Sequence, residues 1–316
     1  MPSCKVPWKR SPDMDVVFAG DKNYLQHFAV ALTSLLETNP GWVENIFFVC
    51  EDPKCIESLN IHFERIYGIE IQGIVADDRL IASYGTLPHI SKATFYRLLL
   101  ADLLPMTIGK ILYLDSDLVV NGSLEEINAR MDADPGIRLW AVDHAMPTHQ
   151  LKHLLPFGFS GVKYFNAGVL GINLEGWRMD GMTEKFLRLL RETDGKLEWA
   201  DQDILNLSFD GTWGELPSRY NRTSLQKRDP ETPVVIHYTG SMKPWHYRSK
   251  HPYKRRYWHY LRKTPYRTYK YQDFSFRNFL IKNESRFLWA LRIGIKKYLS
   301  SRIFSFSQSE KPMHGN

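Results

Sequence analysis

Asp15-Val-Val-Phe-Ala-Gly-Asp-Lys-Asn23 is a short apolar run that breaks off in a glycine and three polar residues, and apolar residues at helical spacing follow from Tyr24 to Leu36. The run reads as a buried strand, the glycine as its exit, and the next stretch as a helix stopped by Asn39-Pro40-Gly41. Asn45-Ile-Phe-Phe-Val-Cys50 is a second strand of the buried type, followed by a helical stretch over 53–67 and a strand over 69–75. A helix over 92–104 and a strand over 110–114 continue the rhythm. Strand and helix in alternation predict an α/β fold, a mostly parallel sheet covered by helices on both faces. Ligands of such sheets bind beyond the carboxyl ends of the strands, so Ala19–Tyr24, Asp115–Asp117 and Val142–His144 carry the first functional expectation.

The composition agrees with a folded globular body. The chain has 316 residues, 43% of them apolar, which suffices for a full core and excludes a disordered or collagen-like chain. Three cysteines, Cys4, Cys50 and Cys55, cannot build a disulfide framework and show no paired metal spacing. No stretch reaches the eighteen apolar residues of a membrane span, and Met1–Asp15 has no signal-like apolar run, so the expected location is the cytosol or its face of a membrane. Charge is divided unevenly: residues 241–316 hold 18 Lys and Arg against 3 Asp and Glu, leaving 23 against 32 in the rest. The same tail carries 17 of the 42 aromatic residues, a surface suited to something anionic and partly apolar.

Ile111-Leu-Tyr-Leu-Asp115-Ser116-Asp117-Leu-Val-Val120 bears the most chemistry. A buried strand ejects two carboxylates at i and i+2, hard oxygen donors that suit Mg²⁺ or Mn²⁺ with a diphosphate adding further oxygens. The plainer reading, that these residues end a strand and cap the next turn, stands beside it. Val234-Val-Ile-His237-Tyr-Thr-Gly240-Ser-Met-Lys243-Pro-Trp245 again puts a ligand-type residue after an apolar run. His237 would complete a metal sphere, Gly240 would let backbone approach phosphate, and Lys243 would add a cation, unless His237 is structural and Lys243 solvated. In Glu198-Trp-Ala-Asp201-Gln202-Asp203-Ile-Leu-Asn206 the acids either cap a helix or bind a sugar. Tyr164-Phe-Asn166-Ala167-Gly168 fits a strand approached closely by a ligand, or one that is merely tightly packed.

Together and in this order, these blocks, with Tyr96-Arg97, resemble those of the family 8 glycosyltransferases, and among them the bacterial lipopolysaccharide-core galactosyl- and glucosyltransferases. The likeness runs from residue 15 to about 246. It implies a GT-A fold and a retaining transferase that takes a UDP-hexose, UDP-galactose or UDP-glucose, with a divalent cation. By the same resemblance Ala19, Asp21, Asn23 and Tyr24 match uridine-binding positions; Asp115, Asp117 and His237 match the Mn²⁺ ligands, with Ser116 between them; Gly240 and Lys243 match diphosphate contacts. Arg97, Asn166, Ala167, Asp201 and Gln202 match positions around the donor sugar, and Asp143, in looser flanking sequence, a carboxylate facing sugar or acceptor. Gln202 falls at the reaction centre. An amide there argues against a covalent intermediate and for front-face attack, with Asp201 orienting sugar hydroxyls.

Two domains are therefore expected: a catalytic domain over 13–250 and a basic, aromatic extension over 251–316. A helix from Arg277 to Leu299 in the extension gathers Leu280, Ile281, Phe287, Leu288, Leu291, Ile295, Tyr298 and Leu299 opposite Lys282, Arg286, Arg292, Lys296 and Lys297, although Glu284 falls on the apolar face and Phe279, Trp289 and Ile293 on the basic one. It would either lie on an anionic membrane that holds a lipid-linked oligosaccharide acceptor or pack on the catalytic domain. Competing readings are a family 8 transferase for another glycan or a protein acceptor, a haloacid-dehalogenase-type phosphatase with Asp115 as nucleophile, and a tail that binds nucleic acid. The phosphatase motif belongs on the first strand of its domain, whereas here a long α/β stretch precedes it. The acidic body and its metal constellation weigh against nucleic acid, and none is expected as a partner.

Overall fold

The computed structural model describes residues 14–76, 92–223 and 231–283. Its strands are β1 (Met14–Ala19), β2 (Val43–Cys50), β3 (Ile71–Val75), β4 (Lys110–Leu114), β5 (Leu118–Val120), β6 (Leu139–Asp143), β7 (Phe165–Asn173), β8 (Gly214–Glu215), β9 (Arg222–Thr223) and β10 (Val235–His237). Seven of them form one sheet in the order β3-β2-β1-β4-β7-β6-β8, and β5, β10 and β9 form a small second sheet. From β3 to β4 the strands run parallel; β7 is antiparallel to β4 and to β6, and β8 lies parallel to β6. The sheet is thus mixed and mostly parallel, as a GT-A fold requires.

The period-two alternation of side chains divides each central strand between two cores. Val16, Phe18, Ile46, Phe48 and Leu112 pack with Phe28, Leu32 and Leu35 of the helix α1 (Leu25–Thr38). Val17, Phe47, Ile111 and Tyr113 face the other way, into a core with Tyr96, Trp177, Phe186 and Ile204. Both faces are covered, which is why these strands read as unbroken apolar runs; each such side chain contributes about 1.5–3 kcal/mol through burial. The end of α1 is fixed by Asn39, whose Nδ2 donates to Leu35 O and Gly122 O while its Oδ1 accepts from Leu124 N at 2.8 Å. The helix is thereby tied to the chain just beyond β5.

One element differs from expectation. Residues 92–104 are not a continuous α-helix: Lys92–Leu99 is a 3₁₀-helix, and only Leu100–Leu103 is α-helical. Eight residues of 3₁₀ are uncommon and mark a local constraint. Here the constraint is Arg97, buried and bonded into the site described below.

The first part of the expected extension is packed on the catalytic body. The helix Lys254–Leu261 buries Tyr257, Tyr260 and Leu261 against Val30 of α1 and against Ile236, Tyr238 and Trp245. His27 stacks on Trp245 with ring centroids 3.5 Å apart, and its Nδ1 lies 2.7 Å from the Tyr257 hydroxyl. Burial lowers the His27 pKa to about 3, so its ring stays neutral in this contact. The chain is helical again over 276–283. The remainder of the expected helix to Leu299 lies outside the described residues.

Candidate active site

The carboxyl ends of β1 and β4 and the amino end of antiparallel β7 meet at one edge of the sheet, and a cavity of about 710 Å³ opens there. Ala19, Asp21 and Tyr24 line it from β1, Asp115, Ser116 and Asp117 from β4, Asn166 and Ala167 from β7. Arg97 of the 3₁₀-helix, Asp201 and Gln202 of the helix Ala200–Ser208, and Gly240 complete this set of expected residues. These positions are far apart in the chain and converge because parallel strands deliver their exits to the same edge.

His237, at the end of β10, enters between the two aspartates: its Nε2 lies 3.1 Å from Asp117 Oδ1 and 3.6 Å from Asp115 Oδ2. One ligand atom from each of the three residues falls within 4.8 Å of the others. Two carboxylate oxygens and an imidazole nitrogen at that spacing fit a hard or borderline divalent cation. The cradle leaves no spare space on its β7 side, since a Cβ on Gly168 would stand 2.1 Å from His237 Cε1 and 2.9 Å from Asp115 Oδ2. Gly168 is therefore required by the close approach of His237 and Asp115.

Two cations flank this group. Lys243 Nζ donates to Asp117 Oδ2 at 2.5 Å and to Tyr238 O at 2.6 Å. Burial would raise the Asp117 pKa, but the Lys243 ammonium beside it overcomes this and holds the carboxyl below the usual range. Arg97 forms ion pairs with Asp115 Oδ1 at 2.9 Å and Asp201 Oδ2 at 2.8 Å, and donates from Nη1 to Ala167 O at 2.6 Å and from Nε to Thr94 O at 3.2 Å. Burial opposes the charge on Arg97, and the two aspartates more than offset that, so its pKa lies above the ordinary value. The Asp201 carboxyl is lifted by burial to about 7, with Arg97 opposing and Asp115 adding to the rise. A divalent cation added to these three acids and two basic side chains would make the centre positive, the sign a diphosphate requires.

Against this geometry, the family described as glycosyl transferase family 8 matches residues 15–249. The chain belongs to glycosyl transferase family 8. General stress protein A of Bacillus subtilis (strain 168) is 29% identical to this family 8 enzyme over 270 residues, covering 77% of this chain and 91% of the relative. Lipopolysaccharide 1,2-glucosyltransferase of Escherichia coli is 33% identical over 244 residues, covering 72% of this chain and 71% of the relative. The crystal structure of the galactosyltransferase LgtC in complex with donor and acceptor sugar analogs superposes with a TM-score of 0.69 at 28% identity, covering 80% of this chain and 96% of that one. The phosphatase reading of Asp115 falls with the family, and β4 follows three earlier strands rather than opening the domain.

Not every expected residue of this glycosyltransferase reaches the cavity. Asn23 is exposed and, through its backbone N–H, closes a turn on Asp21 Oδ1 at 2.8 Å. Asp143 is not among the cavity residues; its Oδ1 accepts from Ala145 N at 3.0 Å, in a turn where Ala145 has φ 50°. His144 lines the cavity in its place. That turn engages one carboxylate oxygen of Asp143, and His144 is the residue at this strand end that lines the cavity.

Several lining or supporting residues were not singled out from sequence. Glu198, Trp199, Met146 and Gln150 line the far part of the cavity, and Tyr113 donates its hydroxyl to Asp115 Oδ1 at 3.0 Å. Asn221, 1% exposed, lies beside His237 with its Oδ1 2.9 Å from His237 Nδ1. Tyr113 and Trp199 stood inside quoted motifs, whereas Asn221 precedes a two-residue strand too short to show any period.

Proposed function

We propose that the enzyme moves galactose or glucose from a UDP-sugar to a lipopolysaccharide or lipooligosaccharide core, with retention of anomeric configuration and with Mn²⁺ or Mg²⁺ held by Asp115, Asp117 and His237. The observation that carries the reading is the three-residue ligand group on the wall that joins the β1 exit to Gln202. In this reading Ala19, Asp21, Asn23 and Tyr24 take the uridine, and Gly240 and Lys243 face the diphosphate. Gly240 has φ 80°, a conformation that suits glycine and opens the turn to a phosphate. When bound, the divalent cation supplies positive charge against the diphosphate leaving group.

The rest is done by side chains. Arg97 holds Asp201 toward the sugar hydroxyls, and Gln202 lies on the sugar side as a fixed dipole. Its Oε1 accepts from Asn166 Nδ2 and Ala167 N, both at 3.0 Å. A double displacement would need a free carboxylate, and neither acid flanking Gln202 is free. Asp203, 0% exposed, accepts at Oδ1 from the Tyr164 hydroxyl and at Oδ2 from Glu198 N and Trp199 N, with His153 Nε2 3.0 Å away. Asp201 is tied to Arg97. Attack by the acceptor hydroxyl on the face that the leaving group departs from, with the phosphate taking the proton, needs neither of them as a nucleophile.

UDP release from UDP-galactose and UDP-glucose, with Mn²⁺ or EDTA and with or without truncated lipopolysaccharide core, tests the whole reading. Turnover is expected with one of the two donors, to rise with the core acceptor and to vanish in EDTA; Gln202→Ala should lower kcat at saturation by about 10²-fold. Absence of turnover with either donor, or a Gln202→Ala enzyme as fast as wild type, would overturn the corresponding part.

The extension over 251–316 is assigned in the same proposal to the cytosolic face of an anionic membrane, where the lipid-linked acceptor resides, while 13–250 form the catalytic domain. Its described part supports this: Phe274 and Phe276 are 62% and 75% exposed, and Arg277 follows them in sequence. Among the described residues no helix is long and apolar enough to cross a membrane. Removing 277–316 is expected to reduce co-sedimentation with anionic liposomes severalfold; unchanged sedimentation would place the contact elsewhere.

A further inference from the structure

The amides between the ligand group and the sugar wall form a hydrogen-bond chain with only one self-consistent direction. Two backbone donors set it. Ala167 N faces Gln202 Oε1 and Gly168 N faces Asn166 Oδ1, both at 3.0 Å, and a backbone N–H can only donate. Both side-chain oxygens are thereby placed. Asn166 Nδ2 then donates to Gln202 Oε1, and Gln202 Nε2 donates to the Tyr164 hydroxyl at 3.0 Å. The Tyr164 hydrogen goes on to Asp203 Oδ1 at 2.6 Å.

On the other side of Asn166, its Oδ1 is an acceptor, so Asn221 must present Nδ2 to it, at 2.8 Å. Asn221 Oδ1 is left facing His237 Nδ1 at 2.9 Å. The second neighbour of that nitrogen is again Asn166 Oδ1, at 3.1 Å. An imidazole nitrogen between two carboxamide oxygens must carry the hydrogen. In the neutral ring Nε2 then bears the lone pair, and it points at Asp117 Oδ1 and Asp115 Oδ2. Three acceptors facing one another are satisfied by a cation between them.

We infer that Asn221 is a positioning residue for this enzyme: its carboxamide fixes His237 in the Nδ1–H tautomer that ligates through Nε2, and through Asn166 couples His237 to Gln202. The inference rests on the reading of Asp115, Asp117 and His237 as a cation site. A ring flip or the other tautomer would put a hydrogen against the carboxylates and remove the nitrogen ligand. The carboxamide is suited to the position because it accepts on one side and donates on the other. No hydroxyl of serine size spans both partners, and a carboxylate has no donor for Asn166.

The test is the affinity of the full-length enzyme for Mn²⁺ alone, measured by electron paramagnetic resonance without donor or acceptor, alongside steady-state kinetics. Asn221→Leu, similar in size and without polar atoms, is expected to weaken Mn²⁺ binding about 10–100-fold. Asn221→Asp keeps an acceptor on Nδ1 and is expected to bind Mn²⁺ within about threefold of wild type. It loses the donor to Asn166, so its kcat should fall about tenfold or more, a split between metal affinity and turnover that general loosening would not give. Should Asn221→Leu not fold, Asn221→Asp decides alone. Mn²⁺ binding by folded Asn221→Leu equal to wild type, or by Asn221→Asp as weak as expected of Asn221→Leu, would overturn the tautomer lock. Asp115→Asn separates the two failures. If wild type binds Mn²⁺ and Asp115→Asn does not, the cation site stands whatever Asn221 does; if wild type does not bind it, the site and the inference fall together.

Discussion

Asp117→Asn is expected to lower kcat by about 10³-fold or more at saturating UDP-sugar, and EDTA should then have no further effect on the variant. The substitution keeps the shape of the side chain and removes one of the two hard oxygen charges between His237 and Lys243. It also places a carboxamide where Lys243 Nζ donates at 2.5 Å and His237 Nε2 lies at 3.1 Å. Two consequences separate in the measurement. Lys243, only 16% exposed, loses its counter-ion, so the metal-free variant should be destabilised by about 3–5 kcal/mol, visible as a lower Tm. Wild type treated with EDTA retains that ion pair and should therefore keep its metal-free Tm while its turnover drops to the level of the variant. A variant whose kcat lies within tenfold of wild type would remove Asp117 from the ligand set.

The strands that carry this site were legible because they are buried on both faces. Asp15–Ala19 and Lys110–Leu114 are apolar without a polar alternation, and both appear within one residue of the expected bounds. Asp115, Asp117 and His237 could be chosen because each follows such a run. What sequence left open was whether the third residue meets the first two. The antiparallel pairing of β10 with β5, Val235 on Val120 and His237 on Leu118, brings them together, and a three-residue strand gives no local signal of its partner. The same limit hid Asn221.

The 3₁₀ stretch at Lys92–Leu99 escaped for a different reason, since its apolar residues, Phe95, Tyr96, Leu98 and Leu99, are also compatible with an α-helix. Tertiary bonding overrides propensity here: Arg97 must bring Nη1 to Ala167 O, Nη2 to Asp115 and Nε to Asp201. The chain that presents it is wound accordingly. Asp143 shows the reverse case. Its position after an apolar strand put it at the expected mouth of the site, and yet its Oδ1 accepts from Ala145 N in its own turn and His144 lines the cavity.

Gly168→Ala should be nearly as damaging as loss of a ligand, although glycine contributes no side chain to the site. The added Cβ would stand 2.1 Å from His237 Cε1, 2.6 Å from His237 Nδ1 and 2.9 Å from Asp115 Oδ2, distances that no packed carbon tolerates. The strand cannot retreat, because β7 is an interior strand paired with β4 and β6, and Gly168 O accepts from Asp115 N at 2.9 Å. His237 must move instead, breaking its bond to Asn221 and leaving Asp117. Mn²⁺ affinity is expected to fall by about 10²-fold and kcat by about 10³-fold, with an overpacking cost to stability of about 1–3 kcal/mol. Gly171→Ala provides the contrast on the same strand. Its Cβ would meet Met131 Sδ at 2.7 Å and the Cβ of Trp140 at 3.3 Å, away from the ligands, so it should lower Tm by a similar amount and leave Mn²⁺ binding unchanged. Equal Mn²⁺ affinity in both variants would mean that His237 does not need the space Gly168 leaves, and the placement of the imidazole as a ligand would have to be given up.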